Sequence, residues 1–350
     1  MKHQAVFLFL LAGLAGAAPR IVPVPADPLE LASGRVDAAD RTAALGLLAR
    51  ARDHYSLRKS GLGYDLKVSF AVDSAGQTRF DGTWQMEDRF LPGQGLHWNA
   101  QASAGYSYTG IATAGAQYGD GDAVPLRLEE VRGMLLHPLP SDAYLSRESI
   151  RSVSTALNGA AVTCLLLTTA KKPSYPPVGR AWEEAEECID PQTGLLMLHS
   201  EAPGRYIVYD YTNAPKLDKQ MLARTVTVHE GGRAVSTITV DLLEEMSKAD
   251  RSLFVPSDRM RQQGRSVEMA PMTKMTRAHP PLLPFERPVC VFGLVSASGQ
   301  LLEAHSLQPS DPNSQAALND ARQIDFSKST PPGTAPRQHF VVILEKFGSR

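Results

Sequence analysis

Val289-Cys-Val-Phe-Gly-Leu-Val295 opens the stretch of sequence that decides the fold of the carboxy-terminal part of this chain. A turn at Ser298-Gly299 follows, then Leu301-Leu-Glu-Ala-His-Ser-Leu307, a helical segment from Asn313 to Ile324, and Gln338-His-Phe-Val-Val-Ile-Leu-Glu-Lys-Phe347. Apolar runs rich in β-branched residues and bounded by Gly and polar turn residues are typical of strands. The pattern predicts a small β-β-α-β domain over residues 289–350. We expect it to fold by itself and to leave one strand edge unpaired.

Residues 1–17 have the pattern of a signal peptide. A weakly basic start is followed by an apolar run from Ala5 to Leu14 and by the small residues Ala15-Gly16-Ala17, after which signal peptidase would cleave. The apolar run is shorter than the ~20 residues that a membrane-spanning helix needs. The sequence therefore predicts export to the periplasm, with no stable membrane span after cleavage. An inner-membrane anchor formed by an uncleaved signal is the alternative.

Length and charge limit the kinds of function to consider. The chain has 350 residues, of which 43% are hydrophobic, and a formal net charge of −1. This length favours two domains with a sizeable core. A balanced charge gives no electrostatic basis for binding nucleic acid or anionic lipid. No cofactor-binding motif stands out, and no cofactor is predicted.

The three cysteines lie in a chain that we expect to reach an oxidising space. Cys164 and Cys188 fall in consecutive predicted strands, which places their sulfur atoms opposite each other, so a disulfide between them is predicted. Cys290 is predicted to be an unpaired core residue. The alternative is that all three are reduced, buried thiols.

Residues 18–256 are predicted to form a larger domain built on an antiparallel sheet. Apolar residues at helical spacing predict one helix over residues 38–52, capped by Asp40, and a second over residues 126–136. From Gly63 the apolar period changes to two, which is the spacing of a strand with one covered face. The overall fold class is therefore α+β, with a large, curved antiparallel sheet and one or two helices. The alternating apolar positions of the first strand are Tyr64, Leu66, Val68, Phe70 and Val72.

The order of these elements resembles the lipoprotein-carrier (LolA-like) family. The similarity depends on the amino-terminal helix, the first strand pair, a hairpin at Ile189-Asp190-Pro191-Gln192-Thr193-Gly194-Leu195-Leu196, and a late Val240-Asp241-Leu242 strand that leads to Ser252-Leu253-Phe254-Val255-Pro256. The resemblance implies a half-barrel whose concave face holds acyl chains. A core filled entirely by side chains, with no space for a ligand, is equally compatible with the pattern.

Residues 257–288 are rich in Met, Arg, Gln and Pro and have no sustained apolar period, so they are predicted to be a linker. Met269, Met272 and Met275 also have the thioether chemistry of a soft-metal site. Adaptive packing by these flexible side chains is the favoured interpretation. No metal site is predicted.

Residues 289–347 resemble the TonB carboxy-terminal domain family. The residues that match are Val291-Phe-Gly-Leu-Val295, Ser298-Gly299, Leu301 to Leu307, Ala317-Leu318, Ala321-Arg322, Phe326, Pro332-Gly333 and the last strand ending in Phe347. The family often has Trp at the position of Ile324 and Pro at that of Lys328. The resemblance implies that the last strand is an exposed edge to which another protein adds a strand. The edge residues are Gln338, His339, Phe340, Val341, Val342, Ile343, Leu344 and Glu345. Shielding of this edge by the other domain is the alternative.

Three further groups of residues have side chains that could bind a metal or contact a ligand. The acidic run at Glu183, Glu184, Glu186 and Glu187, and Asp120 with Asp122, lack the ligand spacing of a calcium loop and are interpreted as solvated. The aromatic residues Trp98, Tyr106, Tyr108 and Tyr118 fit either a ligand-contacting face or cross-strand packing. No hydrolase or nucleotide-binding motif occurs.

Together these patterns predict a non-catalytic, exported envelope protein. Its carboxy-terminal domain would bind another envelope protein, such as an outer-membrane transport component, by β-strand addition. The alternative function is a periplasmic carrier that holds the acyl chain of a lipid or lipoprotein in the half-barrel. The implied partners are an envelope protein at the sheet edge and an apolar ligand.

Overall fold

The structure is a computed structural model that describes residues 20–21, 37–73, 81–121, 126–169, 179–263, 272–279, 285–329 and 338–348. Residues 1–17, predicted to be the signal peptide, lie outside the described residues. No helix in the described ranges has both the length and the apolar character required to cross a membrane.

The described chain alternates long runs of strands with a few short helices. The α-helices are α1 (Arg41–Tyr55), α2 (Leu126–Leu136), α3 (Asp142–Leu145), α4 (Asp258–Gln263) and α5 (Ser314–Ala321). Short 3-10 helices lie at Leu57–Ser60, Arg251–Phe254 and Phe326–Ser329. The strands are β1 (Arg20–Ile21), β2 (Asp37–Ala38), β3 (Tyr64–Val72), β4 (Gly82–Leu91), β5 (Gly95–Ala102), β6 (Ser107–Thr113), β7 (Ala116–Gly121), β8 (Ser149–Leu157), β9 (Ala160–Thr168), β10 (Ala185–Ile189), β11 (Leu196–Ala202), β12 (Arg205–Asp210), β13 (Lys216–Leu217), β14 (Gln220–Met221), β15 (Thr225–Glu230), β16 (Arg233–Glu245), β17 (Thr273–His279), β18 (Phe285–Val295), β19 (Leu301–Ser306) and β20 (His339–Gly348).

Thirteen of these strands form one open sheet in the order β2-β8-β9-β10-β11-β12-β15-β16-β3-β4-β5-β6-β7. All neighbouring strands in it are antiparallel, as the sequence predicted. The long strand β16 returns to pair with β3, which places the first long strand of the chain in the middle of the sheet. The period-two pattern of β3 is confirmed, because its alternating apolar residues from Tyr64 to Val72 are all buried.

One face of the sheet is covered by helices. Asp40 caps α1 as predicted, since its carboxylate accepts hydrogen bonds from the backbone N–H groups of Thr42 and Ala43. A single apolar cluster joins α1, α2 and α3 to strands from both halves of the sheet. A sheet that reaches one shared core from both of its halves must curl around the helices. Representative members of this cluster are Leu48, Leu128, Leu145, Leu167 and Trp98.

The predicted disulfide is confirmed. Cys164 on β9 and Cys188 on β10 are direct partners in the antiparallel ladder, and their sulfur atoms are 2.02 Å apart. Cys290 is a free, buried cysteine, also as predicted.

The carboxy-terminal elements follow the predicted β-β-α-β order. β18 pairs antiparallel with both β19 and β20, and α5 lies between β19 and β20 in the chain. Small residues on α5, Ala317 and Ala321, pack against the apolar side chains of Val291 and Val341. Two strands were not predicted in this sheet, since β1 adds to β18 and β17 adds to β20, each in parallel.

The predicted linker is wrong over residues 273–279. This segment forms β17 and pairs with β20 from Thr273 to His279, and a short helix, α4, precedes it. Its sequence has no strict apolar alternation because β17 lies at the end of the sheet, where four of its seven residues are exposed. A strand in such a position needs backbone hydrogen bonds more than it needs apolar side chains.

The carboxy-terminal module packs against the large sheet, and its independent folding stays a prediction. Trp182 and Ala202 of the large sheet share one apolar cluster with Phe292 and Leu307 of the small sheet. At the contact, the Gln308 amide donates to the carbonyl of Pro203 at 2.8 Å and accepts from the N–H of Cys290 at 2.7 Å. Gly204 has φ +88°, and a Cβ atom there would lie 2.4 Å from the Leu307 carbonyl oxygen, so the approach requires glycine.

The disulfide yields the first prediction. Replacing both Cys164 and Cys188 by Ala should lower the free energy of unfolding by about 3 kcal/mol, because the bond closes a loop across a sequence separation of 24 residues. Urea unfolding with and without dithiothreitol measures this. The reductant should destabilise the wild-type protein and leave the double variant unchanged, and a wild-type protein insensitive to reduction would contradict the prediction.

Candidate functional site

The strand predicted to be an open docking edge is paired on both sides. β20 bonds to β18 on one side from His339 to Gly348 and to β17 on the other from Val341 to Phe347. Residues Phe340 to Glu345 are buried. The prediction of an unpaired edge over Gln338, His339, Phe340, Val341, Val342, Ile343, Leu344 and Glu345 is therefore wrong from Val341 to Glu345, whereas the first three residues lie before the start of the pairing with β17. The alternative, shielding by the other domain, is not what the structure shows either, because the shielding strand β17 comes from the segment interpreted as a linker.

The acidic run before Cys188 is not solvated. Glu184, Glu186 and Glu187 are buried, and the last two lie on β10, inside the sheet between β9 and β11. Each carboxylate has a cationic partner: Arg151 for Glu184 at 2.7 Å, Arg180 for Glu186 at 3.1 Å and His199 for Glu187 at 2.9 Å. Sequence reasoning missed these pairs because the partners lie on other elements. The run is thus part of the folded core, not a calcium site.

His199 lies between the buried Glu187 carboxylate and the partly buried Glu201 carboxylate. Its ring nitrogens are 2.9 Å from Glu187 and 3.2 Å from Glu201. Burial alone would lower the pKa of His199, but the two carboxylates outweigh this effect and raise the pKa to about 10. The histidine is therefore a cation in the folded protein at neutral pH.

Glu230, Glu303 and His305 come together where the two sheets meet. One potential ligand atom from each lies within 4.8 Å of the others. The two carboxylates already have partners, because Arg205 lies 3.2 Å from Glu230 and the His305 ring lies 2.7 Å from Glu303. We assign no metal to this group. A second set with ligand chemistry, Cys164, Glu186 and Cys188, has both sulfur atoms committed to the disulfide.

The candidate binding site is a cavity of about 320 Å³ between α2 and strands β5, β6 and β7. One part of its wall is apolar, formed by Leu96, Trp98, Tyr108, Ile111, Ala112 and Leu136. The other part is polar, formed by Arg58, Gln117, Tyr118, Glu129, Arg132 and His137. Gly133 of α2 completes the lining. Apolar side chains combined with convergent polar groups are typical of small-molecule sites.

Glycines on the neighbouring strands let the aromatic wall lie across the sheet. Trp98 is the ladder partner of Gly110, and a Cβ at Gly110 would lie 2.2 Å from the Trp98 indole nitrogen. A Cβ at Gly119 would similarly lie 1.9 Å from the Tyr108 hydroxyl. The two rings contact each other with centroids 4.8 Å apart. The predicted cross-strand packing is confirmed, and because both rings also line a cavity, a ligand-contacting role stays a prediction.

Arg132 fixes α2 against the aromatic wall. Its guanidinium donates to Asp88 Oδ2 from Nε at 3.2 Å and from a terminal nitrogen at 3.0 Å, and it stacks on Trp98 with Cζ 4.2 Å from the ring centroid. Asp88 is fully buried and also accepts a hydrogen bond from the Tyr64 hydroxyl at 2.9 Å. Burial and the Asp88 carboxylate raise the pKa of Tyr64 well above its usual value, so the tyrosine stays a neutral donor.

His137 lies at the end of α2 beside the same arginines. Burial lowers its pKa below the usual value, and the nearby charges of Arg58 and Arg132 lower it further. The imidazole is therefore mainly neutral at pH 7.

Sequence reasoning found only the aromatic part of this site. It singled out Trp98, Tyr108 and Tyr118, which the structure brings to the cavity, whereas Tyr106 packs on the core instead. It missed Arg58, Arg132 and His137. The helical spacing of Glu129 and Arg132 was the available signal, but nothing local tells which side of α2 meets the sheet.

Comparisons with known proteins show distant similarity only. No protein-family model matches the chain, and no curated protein matches it. Among solved structures, the chain is similar to a domain described as an outer membrane lipoprotein-sorting protein of Vibrio parahaemolyticus, with 11% identity over 61% of this chain and 97% of that one and a TM-score of 0.38. A DUF1329 family protein from Desulfovibrio piger has 10% identity over 60% and 96%, with a TM-score of 0.36.

A LolA superfamily protein from Nitrosomonas europaea has 8% identity over 61% of this chain and 97% of that one, with a TM-score of 0.36. None of the three descriptions names the TonB domain. Likenesses of this strength carry no inference about ligands or partners.

The buried Arg132–Asp88 pair yields the second prediction. Arg132→Met keeps the aliphatic stem but leaves the buried Asp88 carboxylate without its cation, so it should cost about 3–5 kcal/mol of unfolding free energy. Adding Asp88→Asn should recover part of that loss, because the amide carries no charge. Lys59→Met is the control, since its pair with Asp53 is exposed and should contribute less than about 1 kcal/mol. Chemical denaturation gives the free energy of unfolding of the wild-type protein, the two single variants and the double variant. Equal losses of unfolding free energy in Arg132→Met and Lys59→Met would contradict the prediction.

Proposed function

We propose that this chain is a non-catalytic binding protein that holds an apolar, chain-like ligand in the cavity between α2 and strands β5, β6 and β7. The observation that carries the proposal is the cavity itself, with its wall of Trp98 and Tyr108 on one side and its polar margin on the other. This is the carrier function that the sequence offered as its alternative.

The size and rigidity of the cavity support a binding role. Its volume of about 320 Å³ lies at the lower end of the ~300–1,000 Å³ usual for small-molecule sites. Its walls are held in place by the ring contact of Trp98 with Tyr108 and by the ion pair of Arg132 with Asp88. A preformed site loses little conformational entropy when it binds a ligand.

Strand addition at residues 338–345 is not part of the proposal. From Val341 to Phe347 both sides of β20 already carry backbone partners, so an incoming strand would first have to displace β17 or β18 there. The small sheet instead supports the large one through their shared apolar cluster.

We also propose that the protein is exported to the periplasm and acts there. The disulfide supports this, because such bonds persist in oxidising compartments and are rare in the bacterial cytosol. Amino-terminal sequencing of the protein recovered from a periplasmic extract tests export, with Ala18 expected as the first residue. Recovery only from the cytosol with Met1 in place would contradict it.

Filling the cavity tests the binding function. An ideal Cβ at Gly133 meets no atom within 4 Å, so Gly133→Leu should be accommodated and should place its side chain in the ligand space. We expect the wild-type protein to bind dodecanol and Gly133→Leu to bind it at least tenfold more weakly, measured by isothermal titration calorimetry.

Gly46→Leu is the matched control for this experiment. Gly46 is likewise a helical glycine with nothing within 4 Å of an ideal Cβ, but it lies on α1 outside the cavity lining. Both substitutions should favour the helix slightly, so only a loss of binding specific to Gly133→Leu supports the site. No binding by the wild-type protein, or equal binding by the two variants, would contradict the proposal.

A further inference from the structure

We propose that the ligand of this cavity is an amphiphile with one anionic headgroup, and that Arg58 holds the headgroup at the cavity margin. The inference rests on the proposed function, because it names the class of ligand for the same site. It depends on how the charges around the cavity are distributed.

Arg58 is the cationic side chain of the lining that has no carboxylate partner. Among the described residues it forms no ion pair, and its guanidinium lies 5.8 Å from the ring centroid of Phe90. Arg132, by contrast, is paired with Asp88 at 3.0 Å and with Glu129 at 3.5 Å. A guanidinium at the edge of an apolar cavity provides several N–H donors to a carboxylate or phosphate.

The position of Arg58 is fixed by its neighbours in the chain. Leu57 is buried in the main core, and the Ser60 hydroxyl donates to the Leu57 carbonyl at 2.7 Å. Gly61, with φ +75°, ends this short 3-10 turn. Arg58 itself is exposed, so its charged end meets both solvent and the cavity. This is where the headgroup of a ligand whose chain lies against Trp98 would emerge.

The positive charge of Arg58 acts on His137, another residue of the cavity lining. It lowers the pKa of His137 together with burial and Arg132, while Asp88 on β4 acts in the opposite direction. An anion bound beside Arg58 would offset these positive charges and favour the protonated imidazole. Binding of the anion should therefore take up a proton at His137 and become tighter as the pH falls.

A three-ligand comparison tests the inference on the full protein. Isothermal titration calorimetry with dodecanoic acid, dodecanol and acetate separates the contribution of the chain from that of the headgroup. The acid should bind at least about tenfold more tightly than the alcohol, as expected for a charge-assisted hydrogen bond. Acetate alone should not bind measurably.

Substitutions at Arg58 test whether this residue binds the headgroup. Arg58→Gln should bind acid and alcohol equally, Arg58→Lys should keep most of the preference, and Lys59→Gln should behave as the wild-type protein, since Lys59 is outside the cavity lining. His137→Gln should reduce the gain in affinity for the acid between pH 8 and pH 6.

The outcomes separate the two proposals. If acid and alcohol bind equally and Arg58→Gln changes nothing, the headgroup inference is overturned while the cavity function stands. If neither ligand binds, both proposals fail. If acetate binds as tightly as dodecanoic acid, the site accepts free anions and the amphiphile is excluded.

Discussion

The buried guanidinium of Arg205 is the interaction on which the arrangement of this protein depends. The residue lies on β12, is fully buried, and contacts carboxylates from three places: Glu130 on α2, Glu201 on β11 and Glu230 on β15. Its charged end also stacks on Phe292 of the small sheet, 4.3 Å from the ring centroid. An arginine can bind several carboxylates in one plane and still present a flat apolar face. One side chain thereby joins the helix, the large sheet and the carboxy-terminal sheet.

The contact between the two sheets around Arg205 explains why the carboxy-terminal elements are not a separate docking module. Residues of the large sheet pack on one face of β18 and β20. The side of β20 that faces away from β18 is paired with β17. Removing the small sheet from this position would expose the apolar cluster around Phe292 and break the hydrogen bond from the Gln308 amide to the Pro203 carbonyl. The two sheets are therefore coupled through polar as well as apolar contacts.

Helix α2 links the contacts around Arg205 to the cavity. Glu130 ties α2 to β12, and two residues later Arg132 ties it to Asp88 on β4, so the helix is held to both halves of the large sheet. This placement leaves a gap between α2 and strands β5 to β7, lined by Trp98 and Tyr108. The helix is fixed by these ion pairs and by apolar side chains such as Leu128 and Leu135, which are buried in the main core.

The sequence by itself determined the elements whose signals are local. The alternation from Tyr64 to Val72, the Asp40 cap and the facing cysteines at 164 and 188 each follow from spacing within one or two elements. Only the tertiary structure decided which strand covers β20, where the glutamates before Cys188 find cations, and that Arg58 lies beside Trp98. These pairings join residues distant in the chain, and a weakly apolar edge strand such as β17 has no periodic signal of its own. Strand pairing and charge compensation are non-local, so local patterns leave them open.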